Sequence, residues 1–224
     1  MNRVPAPAPS NRTVVDTYDR LASLYDWFVT PLEAGTSARA LKLLGLRGGE
    51  RVIEIGCGPG RALTALAELS GPDGEVLGID AAAGMAERAH RRISGRKHVR
   101  AAVARADARS LPIADGVADV AFVEDTLELF AGEEMAAVVS ELHRILRPGG
   151  RLCVVTMERS HAEATAFVRG YDWAFEHVPG FERFGCRPVY AVEALAAGGF
   201  DIQLRERHRR WNVWPVDVII ATAE

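Results

Sequence analysis

Cysteine is scarce in this chain: its 224 residues include three, Cys57, Cys153 and Cys186, spaced far apart. No CxxC pair or Cys/His cluster occurs, which argues against a zinc centre, and no metal is expected. The sparse, odd count also argues against a disulfide-stapled secreted domain. It fits a reducing compartment, so a cytoplasmic protein is expected. No apolar run approaches 18 residues and the N-terminus has no signal-like apolar segment, so no membrane-spanning helix is expected. Peripheral membrane contact stays open. Lysine is nearly absent, at Lys42 and Lys97 alone, a bias we assign to composition. The formal net charge of −3 gives no electrostatic case for nucleic acid. Internal repeats are missing too.

What is present is an ordinary globular composition, 48% hydrophobic and 25% charged, on a chain of one-domain length. Residues 1–12, MNRVPAPAPSNR, alternate proline and alanine and are expected to form a disordered tail. A single domain is expected over 13–224. It begins helically: Val14, Tyr18, Leu21, Leu24, Tyr25 and Phe28 recur at three- and four-residue spacings. A second helix is expected over 37–44, with Gly45 as its stop. Strands and helices then alternate: strands at 51–55, 75–79, 98–103, 118–123 and 151–156, helices at 61–69, 84–93 and 133–146. That rhythm implies a parallel sheet covered on both faces. Near the end, a helix at 192–197 precedes two β-like runs, 201–207 and 216–222. The link between them is too short for a crossover helix, so they form a hairpin and one of them runs antiparallel. Residues 157–190, rich in aromatics, read as an insertion at the carboxyl end of a strand, where open α/β sheets place their ligands.

The stretch VIEIGCGPG, residues 52–60, follows a strand and opens a helix. Its glycines Gly56, Gly58 and Gly60 permit a tight turn, and the amides at the helix start are expected to face a ligand. The third glycine falls one residue early for GxGxxG, Pro59 removes an amide, and no GxxxxGK[ST] occurs. The loop therefore suits a nucleoside-like ligand without a pyrophosphate. Two further acids follow on consecutive βα units. Asp80 ends the second strand, where it can accept two ribose hydroxyls, and Asp107 follows the third, where it can accept an adenine amino group.

These residues resemble the class I S-adenosylmethionine-dependent methyltransferases. VIEIGCGPG is similar to that family's first motif, GIDAAAGMAERA to its second, ADARSLPIADGVADVAF to its third, and ELHRILRPGGRLCVV to the stretch through the fifth strand. The resemblance implies an α/β, Rossmann-like, seven-stranded, mostly parallel sheet with helices on both faces and an antiparallel last strand. It implies S-adenosyl-L-methionine as cofactor. It assigns Glu54 to the glycine loop or the methionine amino group, and Gly56, Cys57, Gly58 and Gly60 to the methionine and ribose. Asp80 would hold the ribose, Ala81 and Met85 would flank the adenine, and Asp107 and Ala108 would bind its edge. Glu124 would line the site near the sulfonium. The N-terminal pattern YDRLASLYDWF is similar to the lid of small-molecule and lipid-directed members, so residues 13–45 are expected to form lid helices, with Tyr18 and Tyr25 over the cofactor. Those members include quinone-biosynthesis C-methyltransferases and bacterial phosphatidylethanolamine N-methyltransferases. The quinone enzymes carry a Gly-Leu-Arg-Asn-like stretch after the fourth strand, where this chain has Glu124-Asp125-Thr126-Leu127.

Methyl transfer from an activated sulfonium needs alignment and exclusion of water, and a general base only for some acceptors. Glu124, Asp125, Glu128, His161, His177 and Tyr190 are candidate bases, none committed by a motif. The acceptor is expected to be a small molecule or lipid-like. Aminopropyl transfer on the same sheet, or a non-catalytic cofactor-binding module, stays open beside this reading, as does the oligomeric state.

Overall fold

Strand β1, Arg51–Ile55, is buried at every residue after its first. β4, Ala118–Glu124, is nearly as enclosed. Such continuous apolar runs form when both faces of a sheet are covered. In the computed structural model, which describes residues 13–20, 30–96, 99–159, 166–181, 185–210 and 214–224, the remaining elements follow in chain order. Residues 13–20 are helical. They precede α1 (Thr30–Leu44), β1, α2 (Arg61–Ser70), β2 (Glu75–Asp80), α3 (Ala83–Ser94), β3 (Ala101–Arg105) and β4. A 3-10 turn (Leu127–Leu129), α4 (Glu133–Ile145), β5 (Leu146–Thr156), α5 (Ala166–His177), α6 (Ala191–Ala197), β6 (Phe200–Arg210) and β7 (Trp214–Ala223) complete the chain.

The seven strands lie in the order β3-β2-β1-β4-β5-β7-β6. The first five are parallel, β7 runs antiparallel to both neighbours, and β6 pairs with it as the terminal hairpin. Alternate residues of each central strand feed opposite cores. Ile53, Ala121 and Val123 join Val138, Val139 and Leu142 of α4 on one face. Val52, Val120 and Phe122 join Leu63 and Leu66 of α2 on the other. The order reverses between β1 and β4, and the crevice outside their carboxyl ends is where such sheets take ligands.

Some boundaries differ from the sequence reading. Helix α1 starts at Thr30 rather than near residue 37. β3 starts at Ala101 rather than 98, and residue 98 lies outside the described residues. Pro148, Gly149 and Gly150 stop the helix as expected but lie inside β5. There they form a bulge, so that Ala118 pairs with Leu146 while Val120 pairs with Arg151. The aromatic stretch 157–190 contains α5. The tail at 1–12 and Leu21, Leu24 and Phe28 fall outside the described residues.

Candidate functional site

The turn after β1 is closed on itself. Gly56 and Cys57 both donate to the Ile79 carbonyl, at 2.8 and 2.9 Å, and Gly60 donates to the Cys57 carbonyl at 2.9 Å. Gly58 donates to Asp80 Oδ2 at 2.8 Å. Pro59 has no amide to give. The amides of Gly56, Cys57 and Gly58 thus tie the turn after β1 to β2. Gly56 has φ of 73°, and a Cβ on it would fall 2.0 Å from Thr126 Oγ1, so the loop lies directly against the end of β4. The Cys57 side chain is buried and turned toward the core, close enough that a Cβ on Gly78 would meet its sulfur at 3.0 Å. Burial raises its thiol pKa.

Around this turn stand carboxylates. Asp80 accepts from two amides, Gly58 and Ala82, each at 2.8 Å. Both of its oxygens are therefore already engaged, although each retains a lone pair for a hydroxyl. Burial pushes its pKa up, against the pull of the two amides. Glu54 is 2% exposed, and its Oε2 has no hydrogen-bond partner among the described residues. Burial first, then Glu124 and Asp80, push its pKa well above the ordinary range. Asp107 is held by Arg109, at 2.7 Å through Nη2, and that bond lowers its pKa.

At the end of β4, Glu124 accepts Ser37 Oγ of α1 at 2.9 Å, while its Oε1 has no hydrogen bond among the described residues. Arg210 Nη2 lies 3.5 Å from that oxygen, and Nη1 donates to Asp125 at 2.7 Å. The ion pair would lower the Glu124 pKa, yet burial and the neighbouring Asp125 prevail and push it up to about 8. Glu128, 4% exposed, is likewise pushed up to about 8, by burial and then by Asp125. It accepts a bond from Thr156.

Two chambers open on this arrangement. One, of about 100 Å³, is lined by Ile79, Asp80, Ala81, Met85, Asp107 and Ala108, with Val14, Val15 and Tyr18 as its roof. The other, of about 260 Å³, is lined by Ser37, Glu54, Cys57 and Arg61. Gly56, Gly58, Glu124 and Asp125 line both. The roof is attached at two points: Asp19 accepts from Gly84 at the start of α3 at 2.8 Å, and the Tyr18 hydroxyl lies 3.3 Å from Cys186 Sγ. Val15 and Tyr18 pack on Ala82 and Met85.

The structure thus brings together Tyr18, Glu54, Gly56, Cys57, Gly58, Asp80, Ala81, Met85, Asp107, Ala108, Glu124 and Asp125. Gly60 serves as the N-cap of α2. It does not bring His177 or Tyr190 there. The ring of His177 stacks on Trp173, and its Nδ1 lies 2.8 Å from the Trp173 carbonyl at the exposed end of α5. Tyr190 is 45% exposed at the start of α6 and faces a separate groove. Glu128 lines that groove as well. Tyr25 and His161 lie outside the described residues. Sequence reasoning missed Asp19, Ser37, Thr126 and Arg210. Arg210 sits in a run of arginines that carries no motif, and the other three look like ordinary helix or turn residues.

The wall shared by the two chambers is acidic, through Glu124 and Asp125. Among the described residues no group of three or more His, Cys, Asp or Glu is arranged to hold a metal. None of the described helices is long and apolar enough to cross a membrane.

A family model described as a methyltransferase domain matches residues 52–150. The demethylmenaquinone methyltransferase of Staphylococcus aureus (strain JH9) is 29% identical over 173 residues, 77% of this chain and 69% of that protein. An uncharacterized 37.1 kDa protein in transposon TN4556 of Streptomyces fradiae is 40% identical over 112 residues, half of this chain; the chain spans only 31% of that protein. Among solved structures, the [4+2]-cyclase SpnF matches with a TM-score of 0.71 at 20% identity, over 99% of both chains. The N-methyltransferase NodS of Bradyrhizobium japonicum WM9, in complex with S-adenosyl-L-homocysteine, matches with a TM-score of 0.71 at 16% identity, over 94% of this chain and 98% of that one. At such identities the structural matches speak for the fold.

Proposed function

We propose a small organic molecule as the methyl acceptor of this chain, which belongs to the class I S-adenosylmethionine-dependent methyltransferases and uses S-adenosyl-L-methionine as cofactor. Bound there, the cofactor supplies a methyl group already activated by a positive sulfur. The chain's own residues have three tasks in this reading. Asp80, Asp107, Ala81 and Met85 hold the nucleoside end, and Glu54 takes the ammonium of the amino-acid end with its unpartnered oxygen. Glu124 and Asp125, on the wall shared by the two chambers, lie beside the reacting sulfur. The roof at 13–20, tied to Cys186 through Tyr18, keeps water out.

The observation that carries the reading is the meeting of the two chambers at Gly56, Gly58, Glu124 and Asp125 beneath a roof latched to Cys186. An acceptor that reaches the methyl there has to enter a covered space, which suits a compact molecule. An acceptor with an ionisable O–H or C–H can pass its proton to the Glu124–Asp125 pair. The likeness to demethylmenaquinone methyltransferase supports a quinol as the first acceptor to try.

Titration calorimetry with S-adenosylmethionine tests the cofactor step: micromolar binding is expected, and binding of NAD alone would sink the reading. Labelled methyl transfer to 1,4-naphthoquinol, compared with phosphatidylethanolamine vesicles, tests the acceptor. Transfer to vesicles alone would move the assignment to a lipid headgroup.

A further inference from the structure

Arg210 is the last residue of β6 and pairs with Trp214 of β7. β7 reverses direction relative to β5, and β6 reverses again, so β6 points the same way as the central strands. Its carboxyl end therefore reaches the same edge of the sheet as the ends of β1 and β4. The reversed hairpin thus delivers a guanidinium to the crevice, where its side chain is only 10% exposed. There it reaches Asp125 Oδ2 at 2.7 Å, Glu124 Oε1 at 3.5 Å and Thr36 Oγ1 at 3.4 Å. A second tie keeps this register, because Arg39 of α1 makes a fork-shaped pair with Glu206 of the same strand at 2.7 Å.

Asp125 has φ of 49°, the one non-glycine residue with positive φ among those described. Asp tolerates that conformation better than most side chains, but it still has to be held. Its amide donates to the Val155 carbonyl at 2.8 Å, and its carboxylate is gripped by Arg210. Glu124 is fixed at its other oxygen by Ser37. The two carboxylates are thus clamped from α1 and from the hairpin, and both line the chambers on either side of the reaction point.

We propose that Arg210 is a positioning residue that holds the Glu124 and Asp125 carboxyl groups beside the reacting sulfur, so that the site favours the cationic cofactor over its neutral demethylated product. This rests on the methyltransferase reading above. S-adenosylmethionine and S-adenosylhomocysteine differ in the methyl group and in the positive charge at sulfur. Carboxyl groups held beside that sulfur interact more strongly with the cation than with the neutral thioether. The groups that bear on the two carboxyl groups are Ser37 from α1, Glu54 from β1, Glu128 from the 3-10 turn and Arg210 itself. With the guanidinium in place the Glu124 pKa is pushed up to about 8; without it the pKa would rise further and both side chains would lose their orientation.

Calorimetry on the full chain with each ligand, at pH 7 and pH 9, tests this without an acceptor. In Arg210→Ala the affinity for S-adenosylmethionine is expected to fall at least tenfold at pH 7, and that for S-adenosylhomocysteine less than threefold. The deficit is expected to shrink at pH 9, above the Glu124 pKa of about 8, where base ionises that carboxyl group. Arg210→Lys keeps the charge and is expected to recover most of the discrimination. Arg209→Ala, at an exposed neighbouring position, is expected to match the parent. Equal losses for both ligands, unchanged by pH, would mean that Arg210 only braces the hairpin and would overturn the inference. Unaltered binding by Arg210→Ala would overturn it as well while leaving the methyltransferase reading intact. A parent protein that binds neither ligand would sink that reading and this inference together.

Discussion

The two chambers of the crevice are built on opposite principles. On the Asp80 side the acids are already held before any ligand arrives: two amides hold Asp80, and Arg109 holds Asp107. On the Glu54 side, two buried carboxyl oxygens have no hydrogen bond among the described residues, Oε2 of Glu54 and, on the shared wall, Oε1 of Glu124. The first is a rigid seat, its shape maintained by the protein's own bonds. The second holds carboxyl groups whose ionisation burial opposes and a bound cation favours. The difference shows where binding energy originates: shape on one side, electrostatics on the other. It also explains why the glycine loop spends its amides internally. An acidic cleft that takes a cation has no use for an anion nest.

The sharpest way to break the rigid side is Gly56→Ala. The new Cβ would lie 2.0 Å from Thr126 Oγ1 on a backbone with φ of 73°. A cost of about 3 kcal/mol or more is expected, with loss of cofactor binding, seen as a depressed Tm and a silent titration. Gly58→Ala meets nothing within 4 Å and faces only its φ of 50°, so about 1 kcal/mol is expected. Equal effects in the two variants would show that close approach to β4 is not what the loop needs.

Glu54→Gln probes the charged side. The substitution replaces a buried carboxyl group, whose ionisation burial opposes, with a neutral amide, so the unliganded protein is expected to be as stable as the parent or more so. Affinity for S-adenosylmethionine is expected to fall by a factor on the order of 10 to 100, about 1.4 to 2.7 kcal/mol. Loss of stability together with unchanged affinity would move Glu54 from the binding side of the comparison to the scaffold.

Glu128→Gln acts instead on the pH dependence of stability. The Glu128 pKa is raised from 4.5 to about 8 in the fold. Between those values the folded state binds the proton and the unfolded state does not. Its contribution is therefore complete below about pH 4.5 and is lost as pH rises to about 8. Thermal unfolding of the parent is expected to weaken between pH 5.5 and 8, and Glu128→Gln is expected to flatten that decline by about 1 to 2 kcal/mol. An identical slope in the two proteins would show that Glu128 is not the group responsible.

Much of this architecture was legible in the order of the residues. The alternation of apolar runs with amphipathic segments marked a covered parallel sheet, because only burial on both faces tolerates stretches such as Ala118–Glu124. The short link after β6 marked a hairpin, because a parallel neighbour needs a long crossover. The displaced glycine and Pro59 excluded a pyrophosphate. The bulge at Pro148 to Gly150 was not legible, since a proline and two glycines after a helix look the same whether they end it or kink the next strand. Nor were the destinations of the amides in the glycine loop, which depend on where the Ile79 carbonyl falls after folding.

Local sequence therefore determined the elements, their direction and the positions of Glu54, Asp80 and Asp107 at strand ends, because periodicity and turn chemistry act over a few residues. Tertiary structure alone decided which acids would be satisfied and which left bare. It also decided that Asp19, Ser37 and Arg210, from positions 65 to 87 residues away along the chain, would meet the crevice. Those choices rest on the strand order and on the double reversal at β7 and β6, and long-range pairing of that kind leaves no periodic trace in the chain.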